Sequence, residues 1–219
     1  MSADGAPGFF LVLEGGEGGG KSTQSALAVA WLRAQGREVL PTRQPGGTPV
    51  GLRLREILLD PATGALDPRT ESLVYAADKA EHVATVIAPA LARGEVVVCD
   101  RYVDSTLAYQ GAGRSIDAGE LARIAAWSTG ELRPDLTVVL DVDPEIGLVR
   151  AGRAGDGHDR IEAEPLEFHR RVRQHFLALA AERPGEYLVV DADRDPQVVH
   201  AEIRDALAAR LRPQAVQAP

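Results

Sequence analysis

Residues Glu14 to Thr23 read EGGEGGGKST, and this stretch decides how the chain is folded. Gly15-x4-Gly20-Lys21-Ser22 fits the pattern G-x-x-x-x-G-K-[ST]. Glycines let consecutive backbone N–H groups converge on phosphate oxygens. The helix that follows adds its positive N-terminal end. In such a loop Lys21 reaches the β and γ phosphates, and Ser22 offers an oxygen to Mg²⁺. The flanks agree with this reading. The apolar run FFLVLE (9–14) predicts a strand before the loop, and a helix is predicted from about Gly20 to Gln35, stopped by Gly36. The loop therefore predicts nucleoside triphosphate binding without saying how the energy is used. Glu14 and Glu17 pose a question of their own, since carboxylates stand beside an anion site.

Working outward, strands and helices alternate. EVLPTR (38–43), EVVVCD (95–100), LTVVLDV (136–142) and EYLVVDA (186–192) predict four more strands. Helical patterns cover VGLRLREILL, Pro68 to Ala92, the neighbourhood of Thr106–Tyr109, Ala118–Trp127, Pro144 toward Arg150, Glu162 to Glu182, and the segment opened by Asp195-Pro196. The polar, glycine-rich AGRAGDGHD (151–159) predicts a flexible loop. Alternation of this kind implies an α/β fold with a five-stranded parallel sheet covered on both faces. The chain reads as one domain, 9–211, with a lid near 150–160 and loose tails at 1–8 and 212–219.

The 219 residues carry a net charge of −8, which argues against wrapping nucleic acid or lying on an anionic membrane. A small anionic ligand needs only a local cluster of arginines. The single cysteine, Cys99, excludes an internal disulfide and suggests a reducing, cytoplasmic compartment. It ends a buried strand and reads as a small core residue. No stretch approaches a membrane span.

An apolar strand ending in Asp100 supplies the second acid expected near Mg²⁺. A switch GTPase would need an N-K-x-D segment, but the only other lysine, Lys79, sits in AADKAE. A kinase needs an acceptor anion site and a lid that excludes water. Arg43 and Arg101 follow strand ends, where parallel sheets bind ligands, and Arg150, Arg153 and Arg160 surround the lid. A phosphate acceptor is already an anion, so it needs alignment and neutralisation and no protein base. A deoxynucleoside kinase would place a carboxylate after the second strand, where this chain has Arg43-Gln44. Another nucleoside monophosphate kinase, or a nucleotide-dependent switch or assembly protein, stays open on these residues alone.

Several ordered motifs narrow the choice: EGGEGGGKST, RQPGGTPVG (43–51), YAADKAEH (75–82), DRYVDSTLAYQG (100–111), PDLTVVLDV (134–142) and DRIEAEPLEFHRRVR (159–173). With them the chain resembles the bacterial thymidylate kinases from about Phe9 to Leu211. The resemblance implies a three-layer α/β/α fold, a homodimer formed through helices, and ATP- and Mg²⁺-dependent phosphorylation of dTMP to dTDP. It implies that the ATP phosphates are held by Gly15, Gly16, Glu17, Gly18, Gly19, Gly20, Lys21, Ser22 and Thr23, with Ser22 and Asp100 toward the metal. Arg43 and Arg101 would hold the dTMP phosphate, and Tyr75 would stack on thymine. Thr106 and Gln110 would read the base edge, Tyr109 would crowd a ribose 2′-hydroxyl, and Glu17 would approach the 3′-hydroxyl.

Three positions depart from the family. Gln44 replaces the usual acid of R-E-P-G-G-T. Lys79 replaces an arginine after A-A-D, giving a point charge in place of a planar fork. Gly18 stands where one subclass has an arginine, which leaves the catalytic arginine to the lid: Arg153, with Arg150 and Arg160 as alternatives or helpers. The histidines show no metal-ligand spacing, and Trp31 and Trp127 read as core or interface residues.

Overall fold

A computed structural model describes residues 8–114, 116–154 and 159–211, and for Arg153 and Ala154 the backbone only. The tails at 1–7 and 212–219 and lid residues 155–158 lie outside the described residues. The five predicted strands are present: β1 Phe9–Glu14, β2 Val39–Arg43, β3 Val96–Asp100, β4 Leu136–Asp141 and β5 Tyr187–Asp191. They form one parallel sheet in the order β2-β3-β1-β4-β5. β1, β3 and β4 are central, and nearly every residue in them is buried. That explains their unbroken apolar runs: both faces are covered. Pro41 sits on the edge strand β2, where its missing N–H costs no ladder bond.

Helices α1 Lys21–Ala34 and α9 Pro196–Arg210 cover one face, packed with Leu11, Leu13, Val98 and Val138. The other face is covered by α3 Pro68–His82, α4 Ala88–Ala92, α5 Val103–Thr106, α6 Ala118–Thr129 and α8 Leu166–Glu182. α2 Pro49–Leu59 packs on α3, and α7 Pro144–Ala154 follows β4. Thr48 caps α2 by accepting from the Gly51 N–H, and Pro49 occupies the first turn.

Some boundaries differ from expectation. Pro68 to Ala92 is helical throughout, but a π-turn at Val83–Ile87 joins α3 to α4. α5 likewise continues as a π-helix, Leu107–Gly113, which widens the turn carrying Tyr109 and Gln110. The helix expected from Glu162 starts at Leu166, because Pro165 has no N–H to give to a preceding turn and its ring would clash with it; Pro165 serves as the N-cap. α7 runs on through Ala154, so residues 151–154 are helical and not the start of a flexible loop. Trp127 is 84% exposed and so is no core residue.

Register then places the chemistry. Asp100 pairs across β3 with Arg43 of β2 and Leu13 of β1. The ends of β2, β3 and β1 thus stand side by side at the carboxyl edge of the sheet, and the phosphate loop rises from β1, the central strand of the five.

Candidate active site

The loop after β1 enters α1 through Gly20, whose φ of 83° is left-handed and open to glycine without strain. No side chain caps α1, so its first N–H groups stay available to an anion. Lys21 folds back over the loop, and its Nζ donates to the carbonyls of Gly16 at 2.7 Å and Gly15 at 3.2 Å. Burial, then repulsion from Arg101, lowers its pKa.

A cleft of about 720 Å³ opens at the end of the sheet. Its walls include Gly18 to Thr23, Arg43, Arg55, Tyr75, Lys79, Asp100, Arg101, Thr106, Tyr109 and Gln110. The sequence-predicted residues from four separate motifs therefore share one space. Ser22 Oγ donates to Asp100 Oδ2 at 3.2 Å.

Arg101 is the centre of the charged arrangement. Its φ of 68° is left-handed, uncommon for a side chain with a Cβ. Its guanidinium donates to Glu17 Oε1 at 2.7 Å, to the Gly15 carbonyl at 3.0 Å and to Ser105 Oγ at 3.1 Å. Tyr109 also donates to Glu17 Oε1, at 2.7 Å, and its ring lies 5.1 Å from the Arg101 guanidinium carbon. Burial pushes the Glu17 carboxyl up, but Arg101, Lys21 and the Tyr109 hydroxyl together outweigh it and hold the carboxyl at about 2. Glu17 is thus a firm carboxylate. Glu14 is fully buried and accepts from Tyr102 N at 2.8 Å, Ser105 N at 3.1 Å and Ser105 Oγ at 2.6 Å. Burial, then the nearby Asp104, pushes its carboxyl up to about 7.

Arg43 is exposed to the cleft, and among the described residues no carboxylate pairs with it. Arg55 joins it there. Sequence reading missed Arg55, although the signal was present: it lies one helical turn after Gly51, on the face of α2 turned toward α3. A Cβ on Gly51 would lie 2.4 Å from Asp78 Oδ1 of α3. Burial and then the neighbouring Arg43 lower the Arg55 pKa. Two like charges held together, with no ion pair to either among the described residues, suit a bound anion.

Tyr75 and Lys79 line the cleft from α3, with Lys79 Nζ 5.4 Å from the Tyr75 ring centre. Lys79 is buried, and burial lowers its pKa. The Thr106 hydroxyl is buried without a partner among the described residues, a polar atom set where a ligand edge can reach it. Gln110 spends its amide nitrogen on Glu71 at 2.9 Å. Glu71, also unforeseen, is a buried carboxylate that additionally pairs with Arg114 and Arg160.

The RQPGGT and YAADKAEH motifs meet in space. Asp78 accepts from the Gly46 N–H at 2.9 Å. His82 Nε2 lies 2.6 Å from Thr42 Oγ1, and Gln44 Nε2 lies 3.0 Å from His82 Nδ1. A Cβ on Gly47 would lie 2.3 Å from His82 Nε2, so only glycine permits this approach. A neutral imidazole offers one donor and one acceptor, which matches an amide at Gln44. Burial, then Lys79, holds the His82 pKa down at about 4.

Of the lid arginines, Arg150 donates to the Ala192 carbonyl at 3.0 Å and pairs with Asp193. Arg160 donates to the Leu58 carbonyl at 2.8 Å and pairs with Glu71. Arg153 lies in the last turn of α7, and its side chain is outside the described residues. Gly18 cannot be replaced by arginine here. Its φ is 62°, and a Cβ would lie 1.9 Å from the carbonyl oxygen of Gly147 in α7.

A glycine-rich anion loop, a helix N-terminus and a second arginine cluster in one cleft define a phosphate-loop kinase that acts on a phosphorylated acceptor. A family model described as thymidylate kinase matches residues 13–203. Relatives named thymidylate kinase are 55% identical over 94% of this chain and 97% of the Leifsonia xyli protein, and 54% identical over 90% and 93% for Clavibacter sepedonicus. The crystal structure of thymidylate kinase from Ehrlichia chaffeensis superposes with a TM-score of 0.75 at 31% identity, covering 91% of this chain and 98% of that one. The chain belongs to the thymidylate kinase family.

One pH dependence follows from the His82 site. The folded pKa of about 4 lies below the ordinary 6.5, so the native state binds fewer protons than the unfolded chain between those values. This group's contribution to stability is therefore full above pH 6.5 and declines as pH falls toward 4. An NMR titration should show the His82 ring neutral at pH 5.5 or so. A midpoint near 6.5 would contradict a neutral His82–Gln44 pair.

Proposed function

We propose that this protein transfers the γ-phosphoryl group of ATP to dTMP, giving dTDP and ADP, with the residues placed as follows. The observation that carries the reading is the single cleft in which the phosphate loop faces Arg43, Arg55 and Arg101. Loop amides and Lys21 hold the donor phosphates. Lys21 exchanges its loop carbonyls for phosphate oxygens, which are stronger acceptors. Arg43, Arg55 and Arg101 hold the acceptor phosphate. Three guanidinium N–H bonds of Arg101 are committed to protein, which leaves two of its five for that phosphate. Tyr75 and Lys79 meet the base from one side, and Thr106 and Gln110 meet its edge. Tyr109 and Glu17, bonded to each other, face the sugar. The chain's task is alignment and charge neutralisation, with no side chain needed as base.

Ser22 and Asp100 fit a Mg²⁺ ion. They are adjacent oxygen donors on the cleft wall, and Mg²⁺ takes one or two protein oxygens, with phosphates and water supplying the rest. When bound, the ion would neutralise charge on the donor phosphates.

The reading is tested by ATP consumption against dTMP, dUMP, TMP, CMP, GMP and thymidine. The expected result is a clear preference for dTMP, dependence on added Mg²⁺, and a fall of about 100-fold or more in Lys21→Ala with the fold intact. A better acceptor than dTMP would overturn the substrate; near-normal Lys21→Ala turnover would overturn the loop's role.

Arg153 is our candidate for stabilising the transferred group. Arg150 and Arg160 are each engaged by carboxylates, and Gly18 leaves the loop without an arginine. Arg153→Ala should lower kcat more than it weakens dTMP binding. A change confined to the dTMP Kd would reassign the role to Arg150 or Arg160.

A homodimer is supported by apolar side chains left exposed on three packed helices: Leu52 and Ile57 of α2, Leu73 of α3 and Trp127 of α6. A second copy is the partner we propose for this surface. Sedimentation should show a dimer for the wild type and monomer for Trp127→Glu. A monomeric wild type would sink the homodimer.

A further inference from the structure

Arg101 is held by a turn whose geometry is not self-sustaining. Its left-handed φ of 68° is unfavourable for a residue with a side chain. Behind the turn lies a cavity of about 350 Å³ bordered by Glu14, Tyr102, Val103 and Asp104. Tyr102 packs its ring on Phe10, but the space beside the turn is left partly unfilled. The Arg101 N–H donates to the Leu13 carbonyl at 2.9 Å, and Glu14 closes the rest of the turn. Its Oε1 accepts from Tyr102 N at 2.8 Å and from Ser105 N at 3.1 Å, one residue past Arg101 and four past it. Its Oε2 accepts the Ser105 hydroxyl proton at 2.6 Å. With that proton committed, the lone pairs of Ser105 Oγ face Arg101 Nη1 at 3.1 Å. The carboxylate thus fixes both the backbone of the turn and the direction of the hydroxyl.

We propose that Glu14, acting through Ser105, is the positioning residue that aims Arg101 at the acceptor phosphate. The inference rests on Arg101 serving the acceptor. An amide at position 14 would reverse the relay. Its NH₂ would donate to Ser105 Oγ, turning the hydroxyl proton toward a guanidinium that has no acceptor to offer. Glu14→Gln is therefore an almost isosteric change with a directional effect.

The test is steady-state kinetics at pH 8, where Glu14 is ionised, on Ser105→Ala, Glu14→Gln, the double variant and Arg101→Ala. Each single variant should lose about three- to tenfold in kcat/KM for dTMP, with the ATP KM unchanged within about twofold. The double variant should lose no more than the worse single one, because both act on one path. Unchanged dTMP kinetics in Ser105→Ala, a parallel rise in both KM values, or multiplying losses would overturn the proposal. Should Glu14→Gln fail to fold, Ser105→Ala alone decides. Arg101→Ala separates two failures. An intact dTMP KM and kcat there sinks the acceptor role of Arg101 and the relay with it. A loss there with none in Ser105→Ala sinks the relay alone.

Discussion

The pairing of β3 between β1 and β2 is the constraint from which the site follows. Because the register sets Asp100 beside both Arg43 and Leu13, three strand ends deliver their next residues to one place. β1 delivers the phosphate loop, β2 delivers Arg43 and the Gln44–Thr48 turn, and β3 delivers Asp100 and Arg101. A one-residue slip in a parallel strand would reverse its side chains across the sheet and also carry its loop away. The central strands pack side chains on both faces, so such a slip would break the fit on both at once and is strongly disfavoured.

The second constraint is electrostatic. Lys21, Arg43, Arg55 and Arg101 crowd one cleft, where the proposed triphosphate donor and monophosphate acceptor would meet. Burial first, and then repulsion from a neighbouring arginine, lowers the pKa values of Lys21 and Arg55. Carboxylates offset part of that repulsion. Glu17 pairs with Arg101 at 2.7 Å, and with the Gly15 carbonyl and Ser105 Oγ also bonded, two of the arginine's N–H groups stay open. Glu71 gathers Arg114 and Arg160, and Asp193 takes Arg150. The acids of EGGEGGGKST are thus part of the anion site's construction. Glu17 compensates the cations from within the cleft, and Glu14 holds the turn beneath them.

The sequence made the fold legible where physics acts locally. Unbroken apolar strands, glycine at Gly20 and capping at Thr48 and Asp195 each have a short-range cause. The ligand-facing motifs were legible because each follows a strand end. Contacts that depend on two distant segments were not. Glu71 reads as an ordinary helical surface acid, and only the approach of Arg114 and Arg160 makes it a buried hub. Arg55 reads as one of several basic residues on an amphipathic helix, and only its closeness to Arg43 gives it meaning. Gln44 looked like the loss of a charge. In space it is matched to a buried neutral His82, so the departure from the family acid comes with a partner suited to an amide. The helix running through Ala154 was hidden by Gly152, whose low propensity is outweighed by its neighbours in the turn.

Gly18 shows how such long-range packing also decides chemistry. By sequence it is one more glycine in a loop rich in them. In the fold its backbone lies against Gly147, and a Cβ on Gly147 would in turn meet the Glu17 carbonyl at 2.3 Å. The phosphate loop and the first turns of α7 therefore touch backbone to backbone, with no room for a side chain on either. This contact forbids an arginine in the loop, and it also seats α7 directly on the donor site. The same helix ends in the turn that carries Arg153. One close approach of two glycines thus removes the arginine from the loop and fixes the helix that leads to the lid.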